Sequence, residues 1–271
     1  MNSLKDFLKS AGILTVASAS AMAIAPDKAL SQSIPACPST GSLGNFASYT
    51  SGCYGTPEVY KITFYEMGLC TSAPFAGGAV DLTNCTASFK DPSGVQKDIA
   101  GSSGVALGSG TGGIRPANGS YKYAYAILSN TFRLKANYAT TTTNYYSSSD
   151  YSSGSSNVTA GATTLAQEFD DNLTSFGSTC STQGSESFAN GTMTAYVLTS
   201  SLQEATGCSG VSRLIGYMTL NQPIEIKSNT EGLKMTFKVT NSGMTVQPTG
   251  DGSAVGAISS GPFSASFTLI E

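Results

Sequence analysis

The side chains that could carry out catalysis are few in this chain, and their spacing does not favour it. Histidine is absent, which excludes a Ser–His–Asp triad and removes a common metal ligand. The densest group of carboxylates contains Glu168, Asp170 and Asp171. Paired carboxylates can cleave glycosidic bonds, but tryptophan, a common platform for sugar rings, is also absent. We therefore expect no enzyme, no catalytic residue, no cofactor and no metal, and a polysaccharide-acting enzyme is the least favoured function.

The cysteines could form crosslinks, bind a metal or act as nucleophiles. There are six of them, and they fall into three local pairs: Cys37 with Cys53, Cys70 with Cys85, and Cys180 with Cys208. Sequential pairing is only a preference, because six cysteines can connect in many ways. No CxxC spacing supports a zinc site, and an even number behind an export signal argues against a catalytic thiol. Each disulfide is expected to stabilise the fold by roughly 3 kcal/mol.

Several short motifs resemble binding sites only weakly. Gly108–Gly113 (GSGTGG) lacks the Lys-Ser/Thr ending and the strand–helix context of a phosphate cradle, so it predicts a β-turn loop. Gly250-Asp251-Gly252 and Asp91-Pro92 predict turns, with calcium binding as the weaker alternative. Asn-x-Ser/Thr sequons, which matter only in a host that glycosylates them, begin at Asn84, Asn118, Asn157, Asn172 and Asn190.

The first 31 residues have the pattern of an export signal. Lys5 and Lys9 precede an apolar run, 11–25, which is too short to span a membrane. Cleavage is predicted after Ala23 or after Ser31, and we favour Ser31 because a polar stretch follows it. The alternatives are an uncleaved amphipathic helix and a lipoprotein anchored through Cys37, which would leave an odd number of cysteines. We expect a secreted or cell-surface protein without a transmembrane segment, with the periplasm as the alternative location.

Composition limits the partners. The net charge is −3 and charged residues make up 11% of the chain, against roughly 25% in ordinary domains. Such a surface gives no basic face for nucleic acid. Sparse charge with many Ser, Thr, Gly, Asn and Tyr residues is typical of extracellular β-proteins and of subunits that pack against copies of themselves.

Period-two alternation of apolar and polar residues dominates the chain and predicts antiparallel strands. For example, Leu233, Met235, Phe237 and Val239 alternate with polar residues. Strands are predicted at 59–65, 86–90, 121–127, 132–138, 192–199, 212–220, 223–227, 233–239, 244–248, 254–258 and 263–269. Together they predict a mainly β fold, an antiparallel β-sandwich of the jelly-roll or immunoglobulin type, stabilised by disulfides.

Two short helices are predicted within an insert. Leu165, Phe169, Leu173 and Phe176 recur at helical spacing behind a Thr164–Gln167 capping box, with Gly177 as the end. This helix would turn Glu168, Asp170 and Asp171 toward water. The second helix would span Leu202–Thr206, with Ser201 and Glu204 at its start and Gly207 at its end.

The chain divides by composition into five parts. Residues 1–31 are the predicted signal peptide, and 32–57 are a flexible N-terminal segment. A β lobe at 58–138 is followed by a Ser/Thr/Tyr-rich loop or linker at 139–164. A second β region with the helical insert covers 165–271, and we expect it to belong to the same sandwich.

These features predict a structural subunit of an extracellular or cell-surface assembly, such as a pilus-like filament, sheath or coat. The partner would be further copies of the chain, giving a homo-oligomer or polymer. Either 32–57 or 261–271 could add a strand to a neighbour's sheet edge. The alternative is a monomeric adhesin or carbohydrate-binding module whose exposed tyrosines hold a glycan or another cell-surface ligand.

Overall fold

A computed structural model describes residues 35–38, 52–101, 107, 110–140, 143–149, 157–161, 165–176, 180–188, 190–249 and 252–270. The predicted signal peptide lies outside these residues. The described part contains strands and turns but no helix. In chain order the strands are β1 Cys53–Gly55, β2 Val59–Cys70, β3 Phe75–Ala76, β4 Ala79–Val80, β5 Cys85–Asp98, β6 Gly119–Lys135, β7 Asn137–Ala139, β8 Asn144–Ser147, β9 Val158–Ala160, β10 Phe169–Asn172, β11 Gln183–Phe188, β12 Gly191–Leu198, β13 Arg213–Ile226, β14 Gly232–Lys238, β15 Met244–Pro248, β16 Val255–Ser260 and β17 Ser264–Ile270.

A seven-stranded antiparallel sheet, the central sheet, organises the fold. Its order is β11–β12–β13–β6–β2–β5, and β10 pairs with the second half of β6. β6 is its longest strand and merges two strands that the sequence predicts separately, because alternation continues through Ser129 and Asn130. β13 likewise runs through the break predicted near Asn221. The central sheet combines strands from both sides of the Ser/Thr/Tyr-rich stretch.

The last four strands form one long hairpin, here called the long hairpin. β14 pairs with β17 and β15 pairs with β16, with Lys238 opposite Ser264 and Met244 opposite Ser260. Five residues of one strand, 239–243, therefore face three of the other, 261–263. Asn241 takes a left-handed φ of 53° at this interruption, a conformation that asparagine tolerates better than most residues. β1 pairs with the outer side of β15.

The main hydrophobic core lies between the long hairpin and one face of the central sheet, here called its inner face. Phe263 packs edge to face against Tyr60 and Phe132, with ring centroids 5.9 and 6.3 Å apart. Phe64 and Phe237 lie 5.4 Å apart in the same core. The hydroxyl of Tyr60 donates to the carbonyl of Gly261 at 3.0 Å, and burial raises the Tyr60 pKa far above its ordinary value.

The mainly β, antiparallel character is as the sequence predicts, and the structure contains three disulfides: Cys37–Cys53, Cys70–Cys85 and Cys180–Cys208. Both predicted helices are wrong within the described residues. Phe169 begins strand β10 and is buried opposite Leu134 of β6. Leu202 has a φ of 61°, which a right-handed helix cannot accommodate. Tertiary pairing overrides the helical spacing in the first case, and a turn forms in the second.

Candidate assembly edge

The edges of the sheets are the parts of this fold where unpaired backbone groups could bind another chain. An edge strand presents a row of N–H and C=O groups, and natural proteins normally cover or charge such edges. Three edges in this structure are covered, each by a different device. Among the described residues the edge of β17 has no such cover, and this contrast defines the candidate site. β11 and β14 also have one neighbouring strand each, but β11 contains Glu186 and β14 contains Lys234 and Lys238.

At the edge of β16, two side chains take the place of a neighbouring strand. The amide of Asn157, fully buried, donates to the carbonyl of Ile258 at 2.6 Å and accepts from its N–H at 2.9 Å. Two residues along, the carboxylate of Asp171 accepts from the N–H of Ser260 at 2.6 Å. These contacts occupy the backbone groups that an incoming strand would need.

At the edge of β1, the chain's own N-terminal part is the cover. Ala36 forms a parallel bridge with Tyr54. The N–H of Cys37 donates to the Tyr54 carbonyl at 2.6 Å, and the N–H of Tyr54 donates to the Pro35 carbonyl at 2.8 Å. The Cys37–Cys53 disulfide holds this pairing together. Two parts of the predicted flexible segment 32–57 are thus already paired within the same molecule.

At the edge of β5, the segment around 110–114 lies alongside. Gly110 bridges Lys90, and the N–H of Ile114 donates to the Ala87 carbonyl at 2.8 Å. Pro92, which cannot donate to a ladder, lies within the same strand. The described part of the Gly-rich motif, 110–113, is therefore backbone that follows a sheet edge.

The edge of β17 has no such cover among the described residues. β17 pairs with β14 on one side only, and no other strand of the described chain lies beside it. Its residues, SASFTLI, include no charge, proline or glycine. Ala265 and Phe267 are buried in the core, while Ser266 and Thr268 are half-buried. An uncharged strand of high β-propensity with one open side is a template for pairing.

The other strand of the same hairpin carries charges that β17 lacks. Lys234 and Lys238 of β14 are exposed and lie opposite Thr268 and Ser264 in the register. Lysines on a strand oppose edge-to-edge pairing, because bringing two copies together would bury or juxtapose like charges. A cavity of about 260 Å³ lies beside this region, and its lining comprises Ile99, Ala100, residues 236–240 and Ser264, Ala265 and Ser266. That lining contains no carboxylate, and Lys238 is its one charged residue.

The acidic cluster singled out in the sequence is used for structure. Because β10 is a strand, successive side chains point to opposite faces, and the cluster is split. Glu168 forms an ion pair with Lys61 at 2.6 Å. Asp170 accepts two hydrogen bonds from Arg133, at 2.6 and 2.9 Å, and these lower the pKa of Asp170.

The second face of the central sheet, its outer face, carries a tyrosine cluster that the sequence shows only in part. We call it the tyrosine face: Tyr65, Tyr123, Tyr125, Tyr196 and Tyr217. Tyr121, predicted to share a face with Tyr123 and Tyr125, lies instead in the inner core. The pairing of β6 with β13 shifts register between Thr219 and Ile224, and such an irregularity reverses which side chains point inward.

Two loops cover part of the tyrosine face, and we call them the disulfide cap: residues 71–84, closed by Cys70–Cys85, and residues 199–206, which precede Cys208. They bind each other, since the N–H of Val80 donates to the Leu202 carbonyl at 3.1 Å. Phe75 of the cap stacks on Tyr196 with centroids 3.8 Å apart. The predicted second helix is therefore part of this cap.

Comparison with known proteins gives no relative: no protein-family model, no curated protein and no solved structure matches this chain. Among the described residues no helix is long and apolar enough to cross a membrane. No group of three or more Cys, Asp or Glu side chains there is placed to hold a metal ion. Of the sequons, Asn157 is buried and bonded to β16, while Asn84, Asn118 and Asn172 are exposed.

Proposed function

We propose that this protein is an exported, non-enzymatic structural subunit, a disulfide-bonded β-sandwich that assembles with copies of itself through the free edge of β17. The observation that carries the proposal is the contrast between that uncharged, open edge and the three covered ones. An added strand would extend the long hairpin, with main-chain hydrogen bonds supplying the affinity. The assembly would be a filament, sheath or coat at the cell surface.

Location and surface chemistry support this function. Three disulfides within the described chain are typical of an oxidising compartment. The low charged fraction, 11%, keeps electrostatic repulsion between copies small. Disulfides and buried edge caps also suit a subunit that must persist outside the cell.

The geometry favours the C-terminal strand over the N-terminal segment as the assembling element. Residues 35–37 and β1 already pair with each other in the same molecule, and the Cys37–Cys53 disulfide prevents their exchange. β17 can keep its pairing with β14 and its buried Phe267 while it pairs on the other side. If two copies meet through β17 in antiparallel register, they are related by a two-fold axis and join two hairpins into a four-stranded layer. This contact closes on a dimer, so a filament, sheath or coat would be built from such dimers through a second contact.

The test places lysines on the free edge. In the mature protein, Ser266→Lys with Thr268→Lys would put two positive charges on β17, whereas Thr236→Lys is the matched control on β14, opposite Ser266. We expect the wild type and the control to self-associate, and the double variant to lose at least tenfold in association. Light scattering after size exclusion gives the mass, and negative-stain microscopy shows the assembly.

Two results would overturn the proposal. One is a wild type that stays monomeric at every concentration reached, together with bare cell surfaces in the source organism. The other is unchanged assembly of the double lysine variant. Thermal unfolding of all three proteins shows whether each variant is folded, so loss of assembly cannot be mistaken for loss of structure.

A further inference from the structure

Two half-buried rings of the tyrosine face, Tyr123 and Tyr217, are not covered by a stacked ring or a cation, and their surroundings define a ligand class. The other three rings are engaged. Phe75 stacks on Tyr196, the guanidinium of Arg213 lies 3.7 Å from the centre of the Tyr65 ring, and Tyr125 is 1% exposed. Of these five, Tyr123 and Tyr217 have each other as their one ring contact in the described structure, at 6.4 Å and 64°. The side chains of Tyr217 and Tyr196 are also hydrogen-bonded.

The strand register fixes what surrounds these two rings. Across the sheet, Tyr123 lies opposite Thr219, and Thr219 lies opposite Thr192. Tyr217 lies between the buried Tyr125 and Thr194. The residues paired across β6, β13 and β12 form two rows, Tyr123–Thr219–Thr192 and Tyr125–Tyr217–Thr194. Both rows place aromatic rings beside threonine hydroxyls, and neither contains a charged residue on these three strands.

The nearest acidic side chains are held by contacts within the molecule. Glu66 accepts from the Tyr125 hydroxyl at 2.7 Å and forms an ion pair with Lys90 at 2.8 Å. A register irregularity between Phe64 and Glu66 sets this carboxylate on the outer face, opposite Ile127. In the cap, Glu204 accepts from Thr182 at 2.6 Å. The Glu204 carboxylate keeps its negative charge and acts electrostatically on Tyr196, while the Arg213 guanidinium lies over the Tyr65 ring, so this face favours a neutral ligand over an anionic one.

We propose that Tyr123 and Tyr217, with Thr192 and Thr219, form a binding site for neutral carbohydrate. The flat C–H face of a sugar ring packs on an aromatic ring, while its hydroxyls bond to the threonine and tyrosine hydroxyls. Tyrosine provides this contact at a low cost in side-chain entropy. The rings stand on central strands and beside the Cys70–Cys85 disulfide, since Cys70 pairs with Tyr123, so the site is rigid before it binds.

The site is independent of the assembly edge, which lies on the long hairpin against the other face of the central sheet. It would give each subunit of an assembly a glycan-binding surface. A nucleotide or a phosphorylated ligand fits poorly, because the Arg213 guanidinium is already placed over the Tyr65 ring and the Glu204 carboxylate lies near Tyr196. A second copy docking on the tyrosine face is the competing occupant, and the experiment separates it from a sugar.

The test uses affinity electrophoresis of the mature protein in gels containing hydroxyethylcellulose, galactomannan or dextran, and pull-down on insoluble chitin. Wild type should bind at least one of these neutral polymers. Tyr123→Ala and Tyr217→Ala should each weaken that binding roughly tenfold, as the loss of one aromatic stacking contact does elsewhere. Tyr146→Ala, at a half-buried tyrosine of β8, is the matched control and should bind like wild type.

Further variants keep the test decisive if an alanine variant unfolds. Tyr123→Phe retains the ring and should retain most of the binding, whereas Thr219→Lys leaves both rings in place and should abolish it. Absence of wild-type binding to all four polymers overturns the proposal, and so does tighter binding to anionic alginate. Loss of self-association in Tyr123→Ala without any polysaccharide binding would identify the face as a contact between copies and also overturn it.

Discussion

The two halves of the long hairpin solve the problem of a sheet edge in opposite ways. In the half made by β15 and β16, one edge is covered by β1 and the other by Asn157 and Asp171. In the half made by β14 and β17, β14 carries Lys234 and Lys238, while β17 has no charge and no cover among the described residues. Both halves bury apolar side chains on the same inner face of the central sheet.

Among the described residues, β11 and β14 also have a single neighbouring strand, but each of them contains charged residues, which β17 lacks. Covering the edge of β16 requires two polar side chains brought in from distant parts of the sequence, one of them fully buried. Burying an amide is unfavourable unless its hydrogen bonds are made, so such a cap persists only where an open edge would be harmful. The bare edge of β17 is therefore the feature that the proposed assembly explains.

The largest effect is expected for Asn157→Ala, which removes the side chain that covers the edge of β16. The substitution leaves the N–H and C=O of Ile258 without their partners in a site that the structure buries. Unsatisfied buried groups cost about 1–3 kcal/mol each, so we expect a loss of about 4 kcal/mol in the free energy of unfolding, measured by urea denaturation.

Asn172→Ala is the control for that experiment. Asn172 is exposed and accepts a hydrogen bond from Thr131 at 2.6 Å, and losing an exposed contact of this kind changes stability by less than about 1 kcal/mol. Equal losses in the two variants would show that the Asn157 amide does not cap β16 as described.

The second prediction concerns the edge of β1, where Cys37→Ser with Cys53→Ser removes the disulfide that holds residues 35–37 beside this strand. The disulfide closes a loop of 16 residues, and its loss should lower the free energy of unfolding by about 3 kcal/mol. Residues 35–37 would then be free to leave β1. In a protein that already carries the two lysines on β17, we expect this change to restore part of the self-association, because a second open edge appears. Light scattering measures it, and persistent monomers would show that the edge of β1 does not accept a partner.

Alternation in the sequence predicts most strands of both hairpin halves, because each strand buries one side and the period is local. The structure departs from that prediction where pairing is distant. Leu165, Phe169 and Leu173 repeat at helical spacing, yet Phe169 gains a buried position opposite Leu134 in β10. No local pattern signals that Asn157 meets Ile258, which lies 101 residues away.

The tyrosine face is likewise predicted only in part by local alternation. Alternation identifies Tyr123 and Tyr125 as sharing a face, but it also assigns Tyr121 to that face. The shift of register opposite Ile224 depends on β13 and cannot be read from β6 alone. Alternation predicts the strand itself, 263–269, whereas its single neighbour within the described part of the chain is a property of the topology.

The smallest effect is expected at Asp170, the residue beside the Asp171 that covers the edge of β16. Asp171 points toward β16, whereas Asp170 points to the outer face and binds Arg133, with both side chains more than two-fifths exposed. The hydrogen bonds from Arg133 lower the pKa of Asp170 below its ordinary value. A carboxyl whose pKa is lower in the folded protein stabilises it above the unfolded pKa of about 3.9 and loses that contribution as the pH falls through the folded pKa.

We therefore expect Asp170→Asn to lower the free energy of unfolding by less than about 1 kcal/mol at pH 7, since solvent screens an exposed pair. The difference from wild type should begin to shrink below about pH 4, where Asp170 of the unfolded chain takes up a proton, and should vanish once the pH has fallen through the lower folded pKa. Urea denaturation at pH 7 and pH 3 measures it, and Arg133→Gln is the background in which Asp170→Asn should change nothing. A difference that persists at low pH would mean that residue 170 acts through packing, and the two neighbouring carboxylates of β10 would then both belong to the hairpin's structural support.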